Sequence, residues 1–350
     1  MTQSAAPPRP GFRLAGWLSL MLFFAIAVGG LYHVKWAPYY ARGFVAAAHH
    51  SIGDSILTGH ADAAAGVGWR AGWAYSITYL KAIWQALVLG LALGAGAQAL
   101  LPASGLARFF GGRAASLRAA GLAVPSMMCT CCAAPVAVGL IECEAGAAAA
   151  IIYWLANPVL NPATLVFIGF VLGWQWTLLR LAVGIPLVFV LGHAAAFAMP
   201  RGRRLELTPR PAGPGRNFLL EWARAFWRLA IRLVPEYIVI VFALGALRAW
   251  LFPAMSPAIG HAPWLVPALA AAGTLFVIPT AGEVPIIQVL QHFGLGATGA
   301  AALLITLPAV SLPSLAMLGR VLPLRALALL GCGTFLFGLM AAGAAAMLGI

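Results

Sequence analysis

Long apolar segments are the feature that most constrains this chain. Its residues are 63% hydrophobic and only 8% charged, whereas a soluble protein carries about 25% charged residues. Several runs approach the roughly 20 residues that an α-helix needs to cross a bilayer. The apolar segments fall at about 14–32, 75–101, 119–141, 146–173, 176–199, 222–251, 264–282, 296–319 and 324–349. The sequence therefore predicts an all-α polytopic membrane protein whose main partner is the lipid bilayer.

The excess positive charge of the chain, +13 at pH 7, lies in short loops beside these segments. Retention of arginine and lysine on the cytoplasmic side of a membrane explains such clusters, so no nucleic acid is expected as a partner. The phosphate-binding pattern G-x-x-x-x-G-K-[ST] does not occur, so neither a nucleotide nor another cofactor is expected. No small-x-small cleavage site follows the first segment, which favours an uncleaved helix within an N-terminal unit, 1–74, that also holds an outer loop.

The arginine distribution also indicates which segments cross. If all nine crossed, the densest basic run, "RGRRLELTPRPAGPGR" at 201–216, would lie outside the cell, against the positive-inside rule. The conflict disappears if 119–141 enters from the cytoplasm and turns back where Pro125 and Pro135 break the helix. Residues 200–224 then form a cytoplasmic basic linker. Re-entrant backbone is tolerated only inside protein or along a water-filled cavity, which is where we expect the tip of this hairpin.

An internal repeat supports this topology. A shift of 150 positions carries 75–199 onto 225–349, and a second hairpin at 264–282 then enters from outside. The aligned pairs are Thr130 with Thr280, Pro135 with Pro285, Gly146 with Gly296, Pro158 with Pro308 and, after one insertion, Pro162 with Pro313. The charge count gives the repeats 75–199 and 225–350 opposite orientations. The expected fold is about seven crossing helices plus two re-entrant hairpins in inverted-topology repeats, an architecture of secondary transporters.

Three cysteines within four positions lie at the predicted tip of the first hairpin. Cys129, Cys131 and Cys132 could present two or three soft sulfur ligands to Cu(I), Zn(II) or a trivalent metalloid. The alternative is that they are small buried hydrophobic residues, since free cysteine is among the most buried residue types. With Thr130, they are candidate substrate-binding residues, and the three thiols are candidate metal ligands.

Paired helix breaks supply the next candidates. The segments "ANPVLNP" (156–162) and "LPAVSLP" (307–313) place prolines inside spanning segments, which frees carbonyl and N–H groups for a substrate or ion. Asn157, Asn161 and Ser311 add polar side chains at these breaks. The alternative is a pair of kinks that only shape packing.

Acidic residues in or beside the membrane are candidates for coupling transport to protons. Thr280 and Glu283 lie at the predicted tip of the second hairpin, and an intramembrane carboxylate is functional by default. Glu283 could instead be a solvated loop residue. Glu142, where the first hairpin leaves the membrane, is a second coupling candidate with the same alternative.

The chain resembles the bacterial predicted-permease family, which includes organoarsenical efflux permeases and relatives thought to export copper or zinc. The resemblance covers roughly 75–350 and rests on Pro125, Cys129-Thr130-Cys131, Pro135 and "ANPVLNPATL" at 156–165. It implies a permease of the cell inner membrane in which Cys129 and Cys131 hold or sense a soft substrate. Cys132 stands where family members usually carry glycine.

The leading hypothesis is a secondary permease, not an enzyme, that exports a trivalent arsenical or soft metal ion by alternating access. A permease for another small solute or anion is one alternative. A membrane thiol oxidoreductase is another, but it usually needs a second cysteine pair, and Cys143 and Cys332 form none in sequence. A homo-oligomer is compatible with the sequence.

Overall fold

The protein folds into packed α-helices. A computed structural model describes residues 10–53, 68–100, 109–112, 114–142, 146–199, 218–251, 260 and 262–350. No β-strand occurs among these residues. The greater part of the basic linker, 200–217, and the outer-loop residues 54–67 lie outside them.

The helices are labelled here in chain order. They are α1 (Pro10–Leu31), a π-helical turn (Tyr32–Trp36), α2 (Ala37–His49), α3 (Trp69–Leu100), α4 (Ala115–Ser126), α5 (Thr130–Glu142), α6 (Ala147–Val159), α7 (Pro162–Val171), α8 (Trp174–Phe197), α9 (Phe218–Leu251), α10 (Leu265–Leu275), α11 (Glu283–His292), α12 (Ala297–Ala309), α13 (Leu312–Leu318) and α14 (Leu324–Leu348).

Seven helical stretches among the described residues are long and apolar enough to cross a membrane. They are Leu18–His49, Trp69–Ala99, Ala147–Val171, Trp174–Phe197, Leu219–Leu247, Ala297–Leu318 and Leu324–Leu348. The protein is therefore an all-α, multi-pass membrane protein, as the sequence predicted. The third and sixth stretches each contain a break, and they are also the two most buried inside the protein.

The first crossing helix is longer than the sequence indicated. The apolar run ends near residue 32, and the sequence placed the following residues in an outer loop. The helix instead continues through the π-helical turn and α2 to His49. Lys35 does not end it because this side chain is only 4% exposed and donates hydrogen bonds to Tyr39 and Thr280.

Two pairs of short helices, α4–α5 and α10–α11, double back. A methyl group added at Gly146 would lie 3.5 Å from the Phe110 carbonyl oxygen, so the chain leaves the α4–α5 pair close to where it enters. The Gly296 N–H likewise donates to the Gly260 carbonyl at 3.0 Å, which joins the two ends of the α10–α11 pair. We call the two pairs the first and second hairpins.

The first hairpin turns earlier than its prolines suggested. The break lies at 127–129, so Cys131 and Cys132 belong to the first turn of α5. Pro135, expected to break the helix, lies inside α5. Proline removes one intrahelical hydrogen bond, but the packing of α5 between α3 and α6 maintains the helix.

Helix α5 approaches α3 closely because glycines line the contact. A Cβ atom at Gly90 would lie 2.2 Å from the Cys132 carbonyl oxygen, and one at Gly94 would lie 2.6 Å from that of Pro135. Gly139 faces the Gly94 carbonyl oxygen in the same way. Small residues at such spacing allow helix backbones to touch within a membrane.

The two halves of the chain contain the same succession of elements. A long helix, a hairpin, a broken helix and a final long helix occur as α3–α8 and again as α9–α14. Gly146 and Gly296, aligned by the 150-residue shift, are the N-caps of α6 and α12. Asn161 and Ser311 are the N-caps that restart the broken helices as α7 and α13.

Candidate functional site

The tips of the two hairpins meet in the interior of the protein. The first tip is 127–130, and the second is the stretch 276–282 between α10 and α11. Each tip contains a non-glycine residue in the left-handed region, Met127 with φ 47° and Ala281 with φ 64°. Backbone in this region is unfavourable for side-chain-bearing residues and persists where surrounding contacts enforce it. The contacts that enforce it are therefore part of the site.

Helix α6 holds the first tip. The Asn157 side-chain oxygen accepts hydrogen bonds from the Ser126 hydroxyl at 2.7 Å and from the Met128 N–H at 3.1 Å. The Trp154 indole N–H donates to the Thr130 carbonyl at 2.9 Å. All of these groups are buried. Asn157, predicted as a substrate contact, thus serves the backbone of the tip.

Helix α3 and the N-terminal helix hold the second tip. The Tyr75 hydroxyl donates to the Val277 carbonyl, and the Tyr79 hydroxyl donates to that of Ile278 at 3.3 Å. The Lys35 ammonium donates to the Thr280 hydroxyl at 3.1 Å. None of these three donors was identified from the sequence. The two tyrosines lie four positions apart in a spanning segment, which is the one signal that they share a helix face.

The three tip cysteines are free thiols in different surroundings. The Sγ atoms of Cys129 and Cys132 lie 3.0 Å apart without a disulfide. The Cys131 sulfur lies 3.4 Å from the Tyr79 hydroxyl. No group of three or more cysteine, histidine or acidic side chains among the described residues is arranged to hold a metal ion. The three-sulfur ligand set suggested by the sequence is therefore not formed.

The helix breaks bring further polar groups to the tips. The Asn161 side-chain oxygen accepts from the Ala163 and Thr164 N–H groups, but its buried amide N–H has no hydrogen-bond partner among the described residues. The Ser311 hydroxyl caps α13 and lies 3.3 Å from the hydroxyl of Thr130. The broken helices thus restart at two of the predicted residues, Asn161 and Ser311, and a third, Thr130, lies beside Ser311.

Arg180 is the principal residue that sequence reasoning missed. Its Nη1 atom lies 2.7 Å from Oε1 of Glu283, and both side chains are buried. The same guanidinium donates to the Pro158 carbonyl at 2.7 Å and the Val159 carbonyl at 3.1 Å. The carbonyls freed by the α6 break, which we expected to attract a transported cation, are thus occupied by a cation of the protein. An arginine inside the apolar helix α8 was the available signal.

The two acidic candidates, Glu283 and Glu142, lie in different parts of the structure. Glu283 is 1% exposed, so the solvated-loop alternative is wrong for it. Glu142 accepts a hydrogen bond from the Gln98 amide at the far end of α5. At 1.5 Å per residue, this helix places Glu142 about 18 Å from the tip. Glu142 is therefore not part of the tip cluster.

A cavity reaches the tips from one side. It has a volume of about 500 Å³, and its walls are the N-terminal helix, α3 and the second tip. Cys129 and Thr280 lie in its lining, together with Lys35 and Arg42. Beyond Cys129 is a second space of about 10 Å³ bounded by both tips and the broken helices. That space has the size of a single water molecule, and Cys129 lies in the lining of both spaces.

Comparisons with known proteins agree with this architecture. A family model described as predicted permease matches residues 73–346. The chain is also 42% identical over 339 residues to UPF0718 protein YraQ of Escherichia coli strain K12, covering 94% of this chain and 95% of that protein. No solved structure matches. Since the family model covers every helix from the hairpins to the last crossing, the chain belongs to the predicted permease family and is a membrane transporter.

Proposed function

We propose that the protein is a secondary permease of the cell inner membrane that exports a soft, thiophilic substrate by alternating access. The substrate class is a trivalent arsenical or a soft metal ion, and the Cys129 thiol is its first contact. Sulfur ligands bind such species because both partners are soft.

The position of Cys129 is the observation that carries the proposal. This residue lines both the open cavity and the small space beyond it. A substrate moving from one to the other therefore passes its sulfur. Cys132, 3.0 Å away, offers a second thiol to a substrate that has displaced the Cys129–Cys132 contact.

The paired hairpins support a re-entrant, inverted arrangement around this site. Each hairpin returns to the neighbourhood of its own entry, as expected if it dips into the membrane without crossing. Two crossing stretches precede the first hairpin and three separate it from the second, so the hairpins would enter from opposite sides. The positive-inside rule then gives the first hairpin the cytoplasmic side. Broken helices meeting such tips near the midplane are typical of secondary transporters. The 500 Å³ cavity is then the outward opening, because it is lined by residues near the outer end of α2.

Hydroxyl and amide groups complete the proposed substrate site. Thr130, Thr280 and Ser311 lie at the tips, and Asn161 has an unused amide donor. Glu283 is the coupling candidate that the geometry favours, because it borders the small space, whereas Glu142 lies at the other end of α5. Protonation of Glu283 would weaken its bond to Arg180 and loosen the contact between the second tip and α6.

Uptake into everted inner-membrane vesicles tests this proposal. Methylarsenite, Cu(I) and Zn(II) are compared in vesicles that contain the wild type, Cys129→Ser or Cys332→Ser. We expect accumulation of at least one thiophilic species, its loss in Cys129→Ser and its retention in Cys332→Ser, since Cys332 is exposed on α14 away from the tips. Accumulation no greater than in vesicles without the protein, or accumulation indifferent to Cys129, would contradict the proposal.

The same vesicles address the thiol oxidoreductase alternative. An electron relay requires reversible formation of a disulfide, and the Cys129–Cys132 pair is the close pair among the described thiols. Under the permease proposal, Cys132→Ser lowers affinity but leaves transport. Complete loss of function in Cys132→Ser, with a Cys129–Cys132 disulfide trapped during turnover of the wild type, would favour the relay.

A further inference from the structure

We infer that the substrate is an anion with a soft atom, and that Lys35 of the N-terminal helix binds its charge while Cys129 meets its soft end. This inference rests on the proposed permease site at Cys129, but it differs in the substrate class. Small soft anions would take the place of uncharged arsenicals and cationic metals as the preferred cargo.

Lys35 is a buried ammonium group in the wall of the cavity. It is 4% exposed, and its partners are the hydroxyls of Tyr39 at 3.3 Å and Thr280 at 3.1 Å. Neither hydroxyl carries a charge that would balance the ammonium. The residue lies in the π-helical turn Tyr32–Trp36, and such turns within α-helices are frequent at functional sites. A charged group at this depth is costly unless it has a function or a counter-charge.

Among the described residues, the charged side chains in the cavity lining are basic. They are Lys35 and Arg42, and no described aspartate or glutamate joins them. Glu283 borders the small space beyond Cys129, but its charge is balanced by Arg180 at 2.7 Å. Neither ion pair formed among the described residues includes Lys35. A cavity of this charge favours anions and repels metal cations.

The site joins two parts of the chain. The family model begins at residue 73, so Lys35 comes from a helix before the matched region, whereas Cys129 and Thr280 come from the two hairpin tips. The Trp36 indole donates to the Pro125 carbonyl at 2.7 Å and anchors the lysine turn to the first hairpin. The N-terminal helix is thus placed to select substrates for the permease core.

Purified full-length protein in proteoliposomes provides the test, with three probes. Thiosulfate is a soft anion, sulfate is its hard analogue of the same charge and shape, and methylarsenite is an uncharged thiophile. We expect uptake of thiosulfate in preference to sulfate. Because a hydrogen bond to a charged group is being removed, Lys35→Met should weaken thiosulfate uptake by about tenfold to a hundredfold in apparent affinity. Lys35→Arg should restore most of it.

Two control variants separate this role from others. Lys81→Met makes the same change on the exposed side of α3, outside the cavity lining, and should leave thiosulfate uptake unchanged. Asp54, outside the described residues, directly follows the cavity residue Gly53. Asp54→Asn should preserve or improve thiosulfate uptake. A loss equal to that of Lys35→Met would instead identify Asp54 as the lysine's structural partner and overturn the inference.

The outcomes distinguish this inference from the proposed function. Uptake of methylarsenite that depends on Cys129, without uptake of thiosulfate, would overturn the anion inference and leave the permease proposal standing. Equal losses for thiosulfate and methylarsenite in Lys35→Met would show that the lysine is structural, which also overturns it. If Cys129→Ser changes the uptake of no probe, the permease site itself fails.

A measurement without transport checks the charge of the cavity directly. The cysteine thiolate attacks the alkylthio sulfur of a methanethiosulfonate reagent, so that a mixed disulfide forms, the bond to the sulfonyl group breaks and methanesulfinate leaves. We expect the anionic sulfonatoethyl reagent to modify Cys129 faster than the cationic trimethylammonium reagent, after division by their rates with a free thiol. Lys35→Met should remove most of that preference. A faster reaction of the cationic reagent in the wild type would contradict the inference.

Discussion

The Arg180 guanidinium lies 2.7 Å from the Glu283 carboxylate and joins the second hairpin tip to the break in α6. The pair is buried, at 0% and 2% side-chain exposure. Arg180 also donates to the carbonyls of Pro158, Val159 and Leu304, so one side chain serves four acceptors from both halves of the chain. Breaking a buried pair strands a charge, whereas replacing both partners removes the cost of burying them.

Arg180→Met should destabilise the protein by about 3–5 kcal/mol. It leaves the Glu283 charge buried without a partner and exposes two carbonyls at the break. The double variant Arg180→Met/Glu283→Leu should be less destabilised than Arg180→Met, because no charge then remains buried. Thermal unfolding in detergent measures both. A double variant whose loss equals the sum of the two single losses would contradict a direct coupling between these residues.

Glu283→Gln tests the coupling role separately from stability. The amide retains a hydrogen bond to Arg180 but cannot exchange a proton. If Glu283 carries the coupling proton, we expect transport into vesicles to become independent of an imposed pH gradient while the substrate still equilibrates. Transport that follows the pH gradient as in the wild type would assign Glu283 a purely structural role.

The broad architecture was accessible from the sequence for identifiable reasons. Apolar length indicated the crossing segments. The arginines at 201–216 required an even number of crossings before them, so one of the five preceding apolar segments had to turn back, which led to the first hairpin. The N-caps Gly146 and Gly296 fall at aligned positions because glycine and proline mark the ends of elements in both halves. These features depend on local chemistry and on length.

The site was less accessible because its partners are distant in sequence. Nothing local indicates that Arg180 pairs with Glu283, 103 positions away, or that Lys35 reaches Thr280 across 245 positions. The predicted outer loop began after residue 32 and therefore included Lys35, which the structure places in a helix. Cys131 was grouped with Cys129 by proximity, although the helical start of α5 directs its sulfur to Tyr79.

Asn157 should contribute to stability through the backbone of the first tip. Asn157→Leu leaves the Met128 N–H and the Ser126 hydroxyl without their shared acceptor. An unsatisfied buried donor costs about 1–3 kcal/mol, and we expect a loss of thermal stability in that range. Tyr153→Phe, which removes a hydroxyl 3.4 Å from the same serine but leaves the Asn157 amide in place, is the matched control and should cost less. Equal losses would contradict a specific role of the amide.

Gly90 should tolerate no side chain. Gly90→Ala places a methyl group 2.2 Å from the Cys132 carbonyl oxygen, so α3 and α5 must separate. Overpacking of this kind costs about 1–3 kcal/mol. Gly121→Ala in α4 is the control, since no atom lies within 4 Å of its added Cβ. Alanine is also more stable than glycine in the interior of a helix. Thermal unfolding should show a lower melting temperature for Gly90→Ala and no decrease for Gly121→Ala. Similar decreases in both variants would mean that α3 and α5 do not approach closely at Gly90.

Cys131 should support the site without contacting the substrate. Its sulfur lies 3.4 Å from the Tyr79 hydroxyl, and the lining of neither tip space includes it. Serine at 131 can keep a hydrogen bond to Tyr79, so Cys131→Ser should retain most thiophile uptake, whereas Cys129→Ser should lose it. Tyr79→Phe removes the bonds to both Cys131 and the Ile278 carbonyl and should impair uptake more than Cys131→Ser. Initial rates of methylarsenite and thiosulfate uptake in these variants test whether Cys131 contacts the substrate. If Cys131→Ser is as inactive as Cys129→Ser for every transported probe, the two thiols bind together and the open cavity ends at a two-sulfur site.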